Sequence, residues 1–199
     1  MLYTVYGKRL LDLAIALSMF VALLPVFLLA MILVRVGSPG PVLFRQKRLG
    51  RNGQLFVLYK FRTMTDEDRL ADRQIWLAEP QLTTTGRLLR RLKMDELPQL
   101  YNVLKGNMSI VGPRPGLPSL ANQPGFSPLR LLLRPGLTGL AQVNGNIHLS
   151  WQERYRYDED YVNRVSLLLD LWIISKTFAI IALGEERFIR RPGAATCHR

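Results

Sequence analysis

The sequence predicts an α+β fold, in which a compact and mostly helical domain contains one small β-hairpin and follows an apolar N-terminal segment. Three observations predict it: an uncharged apolar run at residues 13–34, two strand-like stretches around residues 51–53, and helical patterns from residue 85 onward. We therefore divide the 199 residues into a membrane segment at 1–36 and a second domain at 37–199.

The apolar run is long enough to cross a bilayer, because its 22 residues would form a straight helix of about 33 Å. Pro25 lies near the middle of the run, where it removes a backbone donor and kinks a helix. Lys8 and Arg9 precede the run and Arg35 follows it, and positive charge favours the cytoplasmic side. These residues alone leave open a spanning helix and a helix that returns to the same face.

The hairpin is predicted from two apolar and aromatic stretches, residues 42–50 and 54–64, on either side of Arg51-Asn52-Gly53. Asn-Gly between two such stretches is a strong signal for a tight turn. The polar segment that follows, residues 66–84, is predicted to be a surface helix or loop.

The remaining elements are predicted to be helices separated by loops rich in glycine and proline. Thr85 is predicted to cap a helix with the leucines of residues 88–92 on one face. Pro98 fits the first turn of the next helix, and Gly106 fits its end. Residues 150–153 form a capping box. Residues 166–184 are almost membrane-like but contain two charges, which favours a core helix or an amphipathic helix at a membrane interface.

The charge of the chain indicates an anionic partner. Lys and Arg number 27 against 15 Asp and Glu, a formal charge of +12. Nucleic acid, acidic lipid and phosphorylated small molecules all fit this charge. The single Cys197 excludes an internal disulfide and a CxxC metal site, and it is consistent with a reducing cytosol.

Two adjacent carboxylates, Asp95 and Glu96, directly precede a Leu-Pro step at residues 97–98. Because Pro98 starts a new helix, successive side chains at this junction can border one cavity instead of diverging. Nearby cations would keep at least one acid ionised, as a nucleophile or a metal ligand must be. Taken alone, the pair also fits a solvated helix cap. The available cations are Lys60, Arg62, Arg90, Arg91 and Arg114.

Four longer motifs give the pair a context. They are "KFRTM", "MDELPQLYNVLKGNMSIVGPRP", "RPGLTGLAQVNG" and "DEDYV" with "SLLLDLWI", in this order after the apolar run. Over nearly its whole length the chain resembles the bacterial sugar transferases known as monotopic phosphoglycosyl transferases. The resemblance implies a re-entrant membrane helix broken at Pro25, with Lys8, Arg9 and Asp12 at its cytosolic edge. It also implies a catalytic domain on the cytoplasmic face of the bacterial inner membrane.

The activity that the resemblance implies is transfer of a sugar 1-phosphate from a UDP-sugar to a polyprenol phosphate, usually undecaprenyl phosphate, with release of UMP. Such a reaction is the first membrane step in the synthesis of a glycoconjugate. By position, Asp95 would be the nucleophile that forms a covalent phosphoglycosyl intermediate. Glu96 would handle a proton or orient the site. The family's cofactor is Mg2+, placed beside the pair and held by Asp95.

The resemblance also implies substrate contacts. Arg62 fits a contact with lipid head groups or acidic neighbours equally well, and Gln142 and Asn144 also fit a hydrogen-bonded loop scaffold. Three positions depart from the family pattern: Leu24 replaces a common Ser, Leu140 a common Trp and Asn146 a common Arg. The residues expected to contact substrate are Lys60, Arg62, Arg90, Arg114, Gln142 and Asn144.

Three other functions remain open from the sequence. A membrane-tethered nucleic-acid binder fits the charge, but no basic stripe with stacking aromatic residues is evident, so we expect no nucleic-acid partner. A non-catalytic scaffold would use the acidic pair only as a cap. A phosphatase of lipid-linked diphosphates would use water as the final acceptor. The sequence favours no particular sugar, glycan pathway or oligomeric state.

Overall fold

A computed structural model describes residues 3–65, 82–122 and 125–188 of the chain. Residues 66–81 of the predicted polar segment and Cys197 lie outside the described residues. A π-helical turn at Tyr3–Gly7 comes first, and 3-10 turns lie at Arg51–Gly53, Met94–Glu96, Pro118–Asn122, Pro128–Leu132, Asn146–His148 and Glu185–Phe188. The helices are α1 Lys8–Ala22, α2 Leu24–Gly37, α3 Thr84–Arg91, α4 Gln99–Lys105, α5 Leu140–Val143, α6 Trp151–Arg164 and α7 Leu167–Leu183, and the strands are β1 Leu43–Leu49, β2 Leu55–Phe61, β3 Ser109–Val111 and β4 Gly136–Thr138.

The predicted α+β class is confirmed, because the described residues are mostly helical with two small sheets. Strands β1 and β2 form the predicted antiparallel hairpin, with Leu43 opposite Phe61 and Leu49 opposite Leu55. Asn52 adopts a left-handed conformation (φ 55°) in its turn, as the Asn-Gly signal indicates. Strands β3 and β4 form a short parallel pair that the sequence did not predict.

Helices α1 and α2 are two halves of the apolar run, bent by 63°. The bend lies at Leu23, just before Pro25, which occupies the first turn of α2. Within the described ranges, no single helix has the length and apolar character needed to cross a membrane. The bent pair taken together reaches that length and composition.

Both ends of this bent pair are attached to the rest of the protein. At the start of α1, Lys8 pairs with Asp170 of α7 (Nζ to Oδ2, 2.6 Å), and Arg9 donates to two carbonyl groups of α4. Asp12 accepts from the Ser109 hydroxyl and from a backbone N–H of β3 (both 2.9 Å). Lys8, Arg9 and Asp12, predicted at a membrane edge, thus contact protein groups.

The end of α2 is held by two other residues. The backbone of Gly37 packs directly on Thr85 of α3, since a Cβ at residue 37 would lie 2.1 Å from the Thr85 hydroxyl. Arg62 is 4% exposed and donates to the carbonyl groups of Ser38 (2.6 Å) and Pro39 (2.5 Å). The segment that leaves α2 is therefore fixed to the residue that directly follows β2.

The start of α3 differs from the prediction. The cap is Thr83, whose hydroxyl accepts from the Gly86 N–H (2.8 Å), and the predicted cap at Thr85 is wrong. The choice among three consecutive threonines is made by tertiary contact, because Gly86 packs on the Thr63 carbonyl so closely that a Cβ would lie 2.0 Å from it. In this register only one of the leucines at 88–92, Leu89, is buried.

The core lies where α1, α2, β2, α4 and α7 meet. The other predicted helix signals are confirmed: Gly106 ends α4 with φ 91°, and Ser150 and Glu153 form the capping box of α6. Helix α7 buries one face and exposes another, on which Leu168, Trp172, Phe178 and Ile181 lie. The largest fully buried side chains are Tyr161, Phe61, Leu58, Leu89, Leu100, Met108 and Ile173.

Candidate active site

The acidic pair lies in a short turn between two helices. Helix α3 ends at Arg91, Lys93 adopts a left-handed conformation (φ 56°), and the 3-10 turn Met94–Glu96 leads to α4. A 3-10 turn has three residues per turn, so adjacent side chains diverge by about 120° instead of the 180° of a strand. Asp95 and Glu96 can therefore face one site, as the junction predicted.

Glu96 binds two of the predicted cations. Its Oε1 lies 2.6 Å from Lys60 Nζ and 3.3 Å from Arg114 Nη2. Burial would by itself raise the pKa of Glu96, but Lys60 and Arg114 outweigh burial and hold the pKa well below its usual range. A carboxylate that is this weak a base is a poor proton acceptor, so the geometry favours the orienting role of Glu96 over proton handling.

Asp95 has a different environment although it is the neighbouring residue. It is 8% exposed, and among the described residues the ion pairs of the site use Glu96 and not Asp95. Burial raises the pKa of Asp95, and the charge of Glu96 raises it further, while Lys60, Arg90 and Lys93 oppose the increase. The result is a more basic, and hence more nucleophilic, carboxylate beside a set of cations.

Arg90 comes to the same place from the last turn of α3. Its Nε donates to the Thr63 hydroxyl (3.0 Å), which fixes the guanidinium. Burial lowers the pKa of Arg90, and attraction to Asp95 and Glu96 opposes that decrease. The structure thus brings Lys60, Arg90 and Arg114 to the acidic pair, as predicted.

A cleft opens beside Glu96. Arg48 and Gln99 lie in its wall and were not predicted as site residues. The register of the hairpin gives the signal for Arg48, because residues 44, 46 and 48 share a face with residues 56, 58 and 60, and Lys60 lies on that face. The cleft is lined by Arg48, Leu58, Lys60, Glu96, Gln99, Arg114, Pro115, Gly136 and Leu137.

Three predicted contact residues have structural partners or lie apart from the cleft. Arg62 holds the segment after α2, as described above. Asn144 donates to the Leu140 carbonyl and accepts from Lys176 of α7 (both 2.8 Å), which fits the scaffold alternative. Gln142 lies by Gly139, and both polar atoms of its amide are buried without a hydrogen-bond partner among the described residues.

The residues present fit a magnesium ion. Within the described part of the chain, no three His, Cys, Asp or Glu side chains form a group that could hold a metal. Mg2+ does not require such a group, because it is usually bound by one or two carboxylates and completes its oxygen shell with water and substrate phosphates. Asp95 takes part in neither of the two ion pairs of Glu96, so its carboxylate is the one that fits as a Mg2+ ligand.

Comparison with known proteins identifies the class to which this fold and site belong. The family described as bacterial sugar transferase matches residues 3–184, so the chain belongs to that family and is a phosphoglycosyl transferase, as the sequence predicted. It is 43% identical over 185 residues to the uncharacterized sugar transferase EpsL of Bacillus subtilis, covering 89% of this chain and 88% of that protein.

Two further relatives have more informative names. The exopolysaccharide production protein ExoY of Sinorhizobium fredii is 40% identical over 199 residues, covering 92% of this chain and 88% of ExoY. The UDP-glucose:undecaprenyl-phosphate glucose-1-phosphate transferase of Xanthomonas campestris is 40% identical over 197 residues, covering 92% of this chain and 40% of that longer protein.

Proposed function

We propose that the protein transfers a sugar 1-phosphate from a UDP-sugar to undecaprenyl phosphate or another polyprenol phosphate and releases UMP. The names of its relatives support both substrates. The reaction would be the first membrane step of a glycoconjugate pathway, which produces an exopolysaccharide, O-antigen, capsule or glycoprotein. The observation that carries the proposal is that the two carboxylates have different environments. Asp95 is buried and has a raised pKa, whereas Glu96 is bound to Lys60 and Arg114.

In the proposed reaction Asp95 attacks the phosphorus that bears the sugar. A bond forms between this phosphorus and a carboxylate oxygen of Asp95, the bond to the bridging oxygen breaks, and UMP leaves with that oxygen and its electron pair. An oxygen of the polyprenol phosphate then attacks the same phosphorus and releases the Asp95 carboxylate. The lipid product is a polyprenyl diphosphate sugar.

The cations of the site would stabilise charge during both steps. Lys60 and Arg114, held by Glu96, would neutralise the phosphate oxygens as charge moves onto the leaving UMP, and Arg90 would add its charge near Asp95. Mg2+, with Asp95 as its protein ligand, would supply further positive charge to the diphosphate when bound. Gln142 remains a candidate for substrate contact, because its amide has unused hydrogen-bonding groups.

We also propose that the protein enters one leaflet of the bacterial inner membrane from the cytoplasmic face. The bent pair α1–α2 would form a re-entrant helix within residues 1–36, with the catalytic domain at 37–199. Attachment of both its ends to the same domain supports this topology over a spanning one. Exposed apolar side chains, including Leu17, Val21 and Ile32 of the pair and Leu168 of α7, would face lipid.

The test of this proposal is to capture the covalent intermediate. The full chain in detergent micelles is incubated with Mg2+ and radiolabelled UDP-sugars, without polyprenol phosphate, and the label on the protein and the release of UMP are measured. We expect one labelled phosphosugar on the wild type and none on Asp95→Asn. The control Asp160→Asn, an exposed residue of α6, should label like the wild type.

Addition of undecaprenyl phosphate should then move the label from the protein to lipid. Normal turnover by Asp95→Asn would refute the proposed nucleophile. Release of the label as free sugar phosphate instead of lipid product would indicate a hydrolase.

A further inference from the structure

The loop that carries Arg114, residues 113–116, is held at every one of its four carbonyl groups. Because Pro113 and Pro115 lack an N–H, most of the backbone hydrogen-bonding groups of this loop are carbonyls. Each accepts from a different residue of the fold. In chain order the donors are the Gly136 amide (2.9 Å), Arg130 Nη2 (2.5 Å), Arg48 Nη1 (3.3 Å) and the Leu49 amide (2.9 Å).

Arg130, which donates to the Arg114 carbonyl, is itself immobilised. It is 6% exposed, and the same Nη2 atom lies 2.9 Å from Asp158 Oδ2 of α6. Its guanidinium also lies near the rings of Phe126 and Tyr155, 5.7 and 5.1 Å from their centroids. Arg130 is therefore shielded from solvent, and its hydrogen bond to the Arg114 carbonyl links it to the site.

The ion pair between Arg130 and Asp158 is not arranged for maximal stability. Nη1 of Arg130 and Oδ1 of Asp158 are both buried without a hydrogen-bond partner among the described residues. A buried ion pair with unpaired atoms contributes little net stability, because desolvation offsets the attraction of the charges. Its geometry instead directs one guanidinium N–H at one backbone carbonyl of the Arg114 loop.

We propose that Arg130 and Asp158 are positioning residues that fix the backbone of Arg114, so that its guanidinium meets Glu96 and the phosphate being transferred. The Arg114 side chain is 42% exposed, so few side-chain contacts restrain it and the position of its backbone determines where its charge lies. The phosphate contact of Arg114 rests on the proposed function, whereas the anchoring of the loop does not.

The decisive variant replaces the whole buried pair, Arg130→Met with Asp158→Leu. Replacement of a buried ion pair by apolar residues of similar volume is often neutral or stabilising. We expect a modest decrease in Tm, because the Arg114 carbonyl loses its donor, and a kcat/KM for UMP release that is about 10- to 100-fold lower, because Arg114 is no longer aligned. The matched control makes the same two replacements in the exposed pair Arg164–Asp160 of α6 and should change neither quantity.

A wild-type kcat/KM in the double variant would show that the pair does not position Arg114 and would overturn the proposal. If this variant does not fold, a cycle of Asp158→Asn and Arg114→Met gives the answer. We expect Asp158→Asn to lower kcat/KM about tenfold in the wild-type background and to have no further effect beside Arg114→Met, which removes the charge being positioned. An equal decrease in both backgrounds would overturn the proposal.

A readout without activity separates this inference from the proposed function. Amide hydrogen exchange of a peptide spanning residues 110–120 should be faster in the Arg130→Met, Asp158→Leu protein and unchanged in the control. A wild-type protein that releases no UMP from any UDP-sugar would refute the proposed function, and faster exchange would still support the anchoring. Unchanged exchange would overturn the anchoring even in an active enzyme.

Discussion

Asp95 and Glu96 are neighbours in the chain, yet their surroundings make them chemically different groups. Glu96 is bound to Lys60 and Arg114 and stays ionised at any ordinary pH, since its pKa lies well below the usual range. Asp95 is buried, and its pKa is raised by that burial and by the charge of Glu96. The same inequality supports Asp95 as the nucleophile and Glu96 as the group that holds the cations.

The pH dependence of the reaction follows from the raised pKa of Asp95. Only the ionised carboxylate can attack, so the rate should decrease as the pH falls through this pKa. Glu96→Gln removes a charge that raises the Asp95 pKa and retains Lys60 and Arg90, which lower it. We therefore expect the acid limb of the pH profile of kcat/KM to move to lower pH in Glu96→Gln.

The measurement is UMP release across the acid range, with Asp160→Asn as a control whose acid limb should not move. The maximal rate of Glu96→Gln should also fall about tenfold or more, because Lys60 and Arg114 lose the carboxylate that orients them. An acid limb that moves to higher pH would contradict the assignment of that limb to Asp95.

At the scale of elements, Asn102 joins the helix after the acidic pair to the strand that carries Lys60. Its Nδ2 donates to the Val57 carbonyl (2.7 Å), and its Oδ1 accepts from the Tyr59 N–H (3.2 Å). The amide thus pairs with the free edge of β2 as a neighbouring strand would. Because Lys60 follows directly, this contact fixes the distance between Lys60 and Glu96.

Replacement of Asn102 should affect both stability and activity. Asn102→Leu leaves the Tyr59 N–H and the Val57 carbonyl without this partner; an unpaired group costs about 1–3 kcal/mol when it is buried, and these two are partly buried. We expect a Tm about 4–10 °C lower in thermal unfolding, together with a lower kcat/KM. Lys105→Ala, an exposed position of the same helix, is the control.

Asn102→Asp separates the two bonds of the amide. It keeps the acceptor for the Tyr59 N–H but places an oxygen against the Val57 carbonyl, so it should be no more stable than Asn102→Leu. A wild-type Tm and kcat/KM in Asn102→Asp would show that the edge contact does not position Lys60.

For the whole molecule, the bent pair α1–α2 is attached to the rest of the protein at two places. Lys8 and Asp12 attach the start of α1 to α7 and β3, and Thr85 and Arg62 hold the end of α2. A helix that crossed the membrane would place these two ends on opposite faces, so the contacts support the re-entrant topology that we propose.

This arrangement predicts where the chain ends can be reached. A protease-sensitive tag placed before residue 1 and another after residue 199 should both be cleaved in inverted inner-membrane vesicles and protected in intact spheroplasts. A periplasmic marker protein with the same cleavage site serves as the control. Cleavage of the N-terminal tag in spheroplasts would show a spanning helix and contradict the re-entrant topology.

The high positive charge also has an explanation at this scale. Many arginines donate to backbone carbonyls within the fold, where the guanidinium supports a loop or a helix end. They include Arg9 at Val103 and Leu104, Arg62 at Ser38 and Pro39, and Arg134 at Gly106. Part of the positive charge of the described residues therefore supports internal structure.

The sequence by itself determined the features that depend on neighbouring residues: the bend at Pro25, the hairpin at Asn52, the end of α4 at Gly106 and the junction at Asp95. Turn chemistry, helix caps and proline act over a few residues, so a sequence pattern is sufficient to predict them. Where equivalent residues compete locally, as in the three threonines before α3, the pattern is not sufficient.

Only the tertiary structure decided which distant groups meet. Lys60, Glu96 and Arg114 come from a strand, a turn and a loop. In the sequence, no pattern connected Arg48, Arg130 or Asp158 with these three residues. Such contacts depend on how complete elements pack on one another, and packing is set by the shape of the whole core and not by any short segment.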